Sequence, residues 1–267
     1  MAGSTPRRTA LSAAGLPPAA LVSLLAGFSA LPATAATSAA GNVVDDYVRL
    51  RTHADGRPAW WLSRGTRYLL ADFQLTPLHA MNMASAVVAD RKDDGSFVVR
   101  TLEGSYSTDL ESAELIDGFV NPSTGARVPL ASSPPVVVTY QYHSDGRMTY
   151  PVGAPPRPGT EMRGALAHRA AFGGAVSIEE RFSVRTQTAT TTSNLGEQIV
   201  FRAGSEGSTK TVVVMRNWPY GQEQSFLLLA VYEGRRFDSF EAFMDEIGAA
   251  RLDTAQPGFR QRLADYR

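Results

Sequence analysis

The sequence predicts an all-β fold: an antiparallel barrel of lipocalin-like type with one C-terminal helix. Three observations lead there. Short runs rich in β-branched and aromatic residues recur along the chain, Gly, Asn, Asp, Ser and Pro clusters separate them, and only one clear stretch keeps a helical period. At 267 residues and 43% hydrophobic content, the chain can bury a core of its own.

The elements follow in order. Pro6-Arg7-Arg8-Thr9 precedes a weakly apolar, alanine-rich stretch over 10–31 that Pro17-Pro18 interrupts, and Ala33-Thr34-Ala35 supplies small residues after it. Such a stretch is too broken to span a bilayer and reads instead as a twin-arginine export signal over 1–35, cleaved after Ala35 or Ala40. A secreted or periplasmic mature protein follows, with no membrane span. A flexible segment is expected over 36–44, a β-barrel domain over 45–250 and a tail over 251–267.

Within the domain, Asp45-Asp46-Tyr47-Val48-Arg49-Leu50-Arg51 suits a short helix or the start of a strand. A turn at 54–57 leads into a strand over 58–70, followed by strands over 97–107 and 114–120. Asn121-Pro122-Ser123-Thr124-Gly125 is a turn, because proline presets φ and glycine accepts positive φ. A strand over 136–142 ends at Ser144-Asp145-Gly146. Four prolines in the eight positions 151–158 mark a linker between two halves. Strands over 178–186, 197–203, 210–216 and 225–232 come next. The helix lies over 238–247, with Asp238 and Glu241 as a capping box, Phe240, Phe243, Met244 and Ile247 as an apolar stripe, and Gly248 as terminator.

Several function classes lose support. Lysine plus arginine equals aspartate plus glutamate at 26 each, and removing Arg7 and Arg8 leaves 24 against 26, so the footprint of a nucleic-acid binder is missing. Without cysteine there are no disulfides, thiolate nucleophiles or cysteine-held metals. His53, His79, His143 and His168 are scattered without an i, i+4 pair, which predicts no metal site. No Gly-x-Ser-x-Gly setting, phosphate-binding glycine loop or dinucleotide fingerprint appears, and no cofactor is expected. Asp93-Asp94-Gly95 and Asp145-Gly146 are tight turns rather than calcium loops. Nothing in the pattern fixes an oligomeric state.

The run Gly104-Ser105-Tyr106-Ser107-Thr108-Asp109-Leu110-Glu111, continuing through Leu115-Ile116-Asp117 to Asn121-Pro122-Ser123-Thr124-Gly125, resembles domain-of-unknown-function family 1838. Trp60-Trp61-Leu62-Ser63-Arg64-Gly65-Thr66-Arg67-Tyr68 is similar to that family's aromatic strand, and Asn217-Trp218-Pro219 to its closing segment. The likeness extends over about residues 45–250 and implies bacterial export by the twin-arginine route, with no stated activity. Met81-Asn82-Met83-Ala84-Ser85 departs from the family's more polar pattern, and so does the 151–158 loop.

Strand alternation then ranks polar residues, since positions two apart share a face. Trp60, Leu62, Thr66, Tyr68 and Leu70 form an apolar face that also carries Arg64, which predicts an interior arginine unless Gly65 makes a bulge. Ile178, Phe182 and Val184 share their face with Glu180, the second inward candidate. Unpartnered buried charges cost several kcal/mol, so the two are expected to meet each other, a ligand or water. Glu103 and Tyr106 are further candidates for acid–base chemistry. Trp60, Tyr68, Tyr140 and Trp218 are the expected aromatic wall of a pocket.

The resulting expectation is a binding protein for a small apolar or aromatic molecule. The first alternative is a cofactor-independent cyclase, isomerase or lyase using interior Arg, Glu and Tyr groups. The second is a non-catalytic envelope interaction protein.

Overall fold

The computed structural model describes residues 42–53, 56–130, 134–150, 158–169, 176–190, 192–204, 207–223 and 225–266. The export signal and its cleavage sites lie outside these residues, as does most of the 151–158 linker. No helix among them is long and apolar enough to cross a membrane.

The chain builds a nearly closed antiparallel barrel of ten strands. Its first wall is β1 (Ala59–Ala71), β2 (Gln74–Arg91), β3 (Phe97–Thr108), β6 (Val136–Tyr142) and β7 (Met148–Thr149). Its second is β8 (Thr160–His168), β9 (Ser177–Gln187), β10 (Thr192–Gly204), β11 (Gly207–Asn217) and β12 (Leu227–Phe237). Successive strands of the sheet pair with one another except at β7 and β8, and a small hairpin of β4 (Gly118–Val120) and β5 (Arg127–Pro129) leaves the sheet after β3. Closure comes from β12 pairing with β1 along eleven residues, from Trp60 opposite Phe237 to Leu70 opposite Leu227.

The weak seam lies between β7 and β8. One bridge, Arg147 to Ala165, crosses it, together with the Leu166 N–H donating to the Gly146 carbonyl at 2.8 Å. Rings reinforce it: Phe182 of β9 meets Tyr140 and Tyr150 edge-on at 6.2 and 6.1 Å.

Four helices among the described residues complete the fold. Asp45–Arg51 resolves as helix rather than strand: α1 (Val43–Arg51) starts at Asn42, whose side chain accepts from the Val44 N–H, and carries Asp45 and Asp46 in its first turn and Arg49 and Arg51 in its last. It buries Val44, Tyr47, Val48 and Leu50 against Trp61, Val99, Tyr142, Ile178 and Phe201, so it plugs one end of the barrel. Residues 43 and 44, expected within a flexible segment over 36–44, thus belong to this helix, and 36–41 lie outside the described residues.

The single expected C-terminal helix is the first of three: α2 (Phe240–Ile247), α3 (Ala249–Ala255) and α4 (Phe259–Asp265). The α2 cap is Ser239, accepting from the Ala242 N–H, rather than Asp238. Of the expected tail over 251–267, the described residues 251–266 are packed, with Leu252, Phe259 and Leu263 fully buried. Their partners are Trp60, Leu62, Ala84, Ala86, Leu102 and Tyr106 on the outside of β1, β2 and β3. The Phe259 ring lies so close to Gly104 that a Cβ there would come within 2.6 Å of it.

That second layer explains an inversion. Both faces of β1 are covered, one by the barrel interior and one by helices, so alternation reveals two faces but not which is inside. The face with Trp60, Leu62 and Arg64 points out. Trp61, Ser63, Gly65, Arg67 and Leu69 share the inner face, and the register irregularity falls between Arg67 and Tyr68 instead of at Gly65.

Candidate functional site

The interior is not filled. A cavity of about 210 Å³ lies between the α1 plug and the far end of the barrel. That far end is packed by Phe119 and Val128 of the β4–β5 hairpin with Leu69, Trp218, Tyr220, Phe226 and Leu228.

At the α1 end every charge is partnered. The Arg51 guanidinium donates to Glu180 at 3.1 Å and to the Thr101 hydroxyl at 3.2 Å. Tyr47 donates to Glu180 at 3.0 Å, and Tyr142 makes a short hydrogen bond to the other carboxylate oxygen. The Trp61 ring N–H donates to the Arg51 carbonyl at 2.9 Å. This network ties α1 to β3, β6 and β9 across the seam. Burial alone would lower the Arg51 pKa, but Glu180 and the surrounding tyrosines and Glu103 hold it above its ordinary value. Burial also pushes the Tyr142 hydroxyl far up, and neighbouring Glu180 adds to that, so it stays a donor.

Above this floor the partners run out. Glu103 of β3, Glu197 of β10 and Lys210 of β11 line the cavity, and none hydrogen-bonds to another described residue. Lys210 lies across Gly234, where a Cβ would meet its stem at 2.9 Å, and its ammonium sits 5.1 Å from the Trp61 ring. Gly65 makes similar room for the Tyr232 ring, 2.6 Å from a hypothetical Cβ. Burial, then Glu180 and Glu103, raise the Glu197 pKa to about 7. Burial first, then the Arg51 charge, lower that of Lys210 to about 8. Glu103 is raised chiefly by burial, with Lys210 and Arg51 working against it. A carboxyl and an amine that both titrate near neutrality thus line one cavity.

The walls are apolar and aromatic: Met81, Met83, Val212, Val214, Leu195 and Ile199 alternate with Trp61, Tyr140, Phe182 and Phe201. Tyr140 is raised well above its normal pKa, by burial first and Glu103 next, and remains protonated.

Of the sequence candidates, Glu180, Glu103 and Tyr140 line the cavity. The other five do not. Arg64 is exposed on the outside, paired with Glu246 of α2 at 2.8 Å, because the apolar face it shares is the one the helices cover. It therefore does not meet Glu180, whose partner is Arg51. Trp60 and Tyr106 are buried in that same outer layer for the same reason. Tyr68 shares the outward face of β1, opposite Arg67 and Leu69. Trp218 is buried, but in the cluster closing the far end.

Comparison with protein-family models, with curated proteins and with solved structures finds no match. The site is therefore read from its own chemistry.

Arg51, Arg67, Glu197, Lys210 and Arg216 escaped sequence reasoning. One signal was available: Lys92 and Lys210 are the only lysines, and Lys210 shares a strand face with Val212, Val214 and Arg216. A solvent-facing lysine is ordinary, but one in register with an apolar run is not. The histidines find separate surroundings, His168 beside Asp46, His143 beside Thr149 and His79 beneath Phe119.

Proposed function

We propose that the barrel interior binds one small organic molecule with an apolar body and a polar group directed at Glu103, Glu197 and Lys210. The observation that supports this is the lack of hydrogen-bond partners for these three groups around a cavity of about 210 Å³. Burying such groups without partners costs several kcal/mol, and a ligand or water that meets them offsets that cost. An engineered apolar cavity of about 150 Å³ accepts benzene, so this volume suits a single substituted ring or a short branched chain. Trp61, Tyr140, Phe182 and Phe201 provide the matching wall. Export by the twin-arginine route, which rests on Arg7 and Arg8 before the alanine-rich stretch, belongs to the same proposal.

Native mass spectrometry of the protein purified from its own host tests the binding reading. A retained small molecule, lost in Lys210→Met and Glu197→Gln, supports it; an empty wild-type protein with no thermal response to single-ring compounds contradicts it.

A second reading has its own support. Glu197 near 7 and Lys210 near 8 are suited to take up and return protons at neutral pH, as a cofactor-independent isomerase, cyclase or lyase requires. In that reading Glu197 abstracts a proton from the bound molecule and the Lys210 ammonium supplies one at a neighbouring position. Incubating the retained molecule with protein in D₂O distinguishes the two. Carbon-bound deuterium that appears with wild type and not with Glu197→Gln supports catalysis, and its absence with both leaves simple binding.

A further inference from the structure

At the end of the cavity away from α1, two arginines make no ion pair with a carboxylate among the described residues. Arg67 of β1 and Arg216 of β11 both line the cavity. Arg67 faces Ala230, Ala230 faces Val214, and Arg216 stands two residues beyond Val214 on the same face. The two arginines thus rise from strands separated only by β12, about 10 Å apart across the sheet and about 7 Å along it, within reach of two long side chains.

Arg67 directs Nε to the Tyr232 hydroxyl at 3.3 Å and Nη1 to the Tyr220 hydroxyl at 3.1 Å, leaving Nη2 without a partner among the described residues. Arg216 makes no hydrogen bond to a described residue, and its Nε is fully buried. Burial and then the Arg67 charge press the Arg216 pKa down, against Tyr220 and Tyr232, and neither guanidinium is hydrogen-bonded to a carboxylate among the described residues. Guanidinium does not shed its proton in the physiological range, so both stay charged.

The lining charges as a whole make the excess plain. Four cations, Arg51, Lys210, Arg67 and Arg216, share the cavity with three carboxyls, Glu103, Glu180 and Glu197. Glu180 answers Arg51, and Glu103 and Glu197 act electrostatically on Lys210; Glu197, opposite Val214, is also the diagonal neighbour of Arg216 but makes no ion pair with it. Arg67 and Arg216 are thus two neighbouring cations of this lining that no carboxylate meets at ion-pair distance among the described residues. Nearby, the His79 Nε2 and Trp218 Nε1 are also buried without partners. His79 adds no charge, since burial above all, with Arg67 adding to it, lowers its pKa to about 4.

We infer that this end is an anion subsite that takes the carboxylate of a small carboxylic acid whose apolar body fills the cavity between Arg67, Arg216 and the Glu103, Glu197 and Lys210 groups. Planar guanidinium forks match a planar carboxylate in a way a lone ammonium does not. The walls next to them, Leu195, Val214 and Leu228, suit a ring or branched chain rather than a second charge. This rests on the binding reading above and gives it a substrate class.

Benzoate and benzamide, equal in size and differing in charge, separate the two. Isothermal titration at pH 7 should show wild type preferring benzoate by about tenfold or more, in keeping with charge-assisted pairing. In Arg216→Gln and in Arg67→Gln that preference should fall to near unity while benzamide keeps its affinity. The wild-type comparison stands even where a variant fails to fold. Equal binding of the two compounds overturns the anion subsite and leaves the binding reading intact. Binding of neither overturns both. Inorganic phosphate binding as tightly as benzoate also overturns the carboxylic-acid assignment, since it makes the site one for a free anion.

Discussion

The two ends of the barrel interior hold charges in opposite circumstances. Near α1, Arg51 and Glu180 are surrounded by Tyr47, Tyr142 and Thr101 and have partners at hydrogen-bond distance. Farther in, Glu103, Glu197, Lys210, Arg67 and Arg216 share a cavity in which acids and bases are not matched to one another. A buried charge that has its full complement of partners holds the fold; one without partners burdens it, and is retained where something else uses it. On the proposed binding reading, the difference separates Arg51 and Glu180, which hold the fold, from the groups that would meet the ligand.

Breaking the partnered end should have the largest effect. Arg51→Met leaves Glu180 buried without its cation and should cost about 3–5 kcal/mol in urea unfolding. Adding Glu180→Gln to it should recover part of that loss, because the stranded charge is gone. A loss below about 1 kcal/mol for Arg51→Met would remove the architectural role.

Phe259→Ala ranks close behind, at about 3–5 kcal/mol, since its ring is fully buried against Gly104 and the outer face of the barrel. Truncation of the chain before 251 should then be at least as damaging. A near-neutral result from thermal melting would return that segment to the status of a tail.

At the unpartnered end the sign reverses. Glu197 titrates near 7 when folded and near 4.5 when unfolded, so the native state holds the extra proton between those values, and this group's contribution to stability falls as pH rises from 4.5 to 7. Lys210 titrates near 8 folded and 10.5 unfolded, so its contribution rises from 8 to 10.5. The melting temperature of Glu197→Gln should thus exceed that of wild type by more at pH 7.5 than at pH 5. A gap that stays constant over this range would show that Glu197 is already satisfied.

The smallest effect belongs outside the barrel. Arg64→Ala removes an exposed pair with Glu246 and should change stability by less than about 1 kcal/mol and ligand binding not at all.

The contrast also shows what the sequence carries. Strands over 97–108, 136–142 and 177–187 and the helix at Phe240–Ile247 were legible, because period and turn residues are local signals. The longest strand, β2, went unread: Pro77 interrupts it, and Met81-Asn82-Met83-Ala84-Ser85 mixes polar and apolar residues. It mixes them because Met81, Met83 and Ser85 line the cavity, where apolar walls and charged groups meet, while Ala84 and Ala86 face the helices. β8 escaped for a related reason, its seam position leaving most of its residues exposed. For the site, Glu180 and Glu103 were found because they share faces with obvious apolar residues. Arg64 was chosen over Arg67, and Trp60 over Trp61, because the rule that the more apolar face is inside fails when the outer face is packed by helices and the inner one surrounds charged groups. Arg51 could not be found by strand alternation at all, as it arrives on a helix.

The most direct test of the cavity is the methyl NMR spectrum of the seven methionines during addition of benzoate. Met81 and Met83 line the cavity, whereas Met244 is packed under the C-terminal helices. Saturable shifts of Met81 and Met83 with Met244 unmoved are expected. Shifts confined to Met244, or no shift at any methionine up to saturating benzoate, would contradict this reading of the cavity.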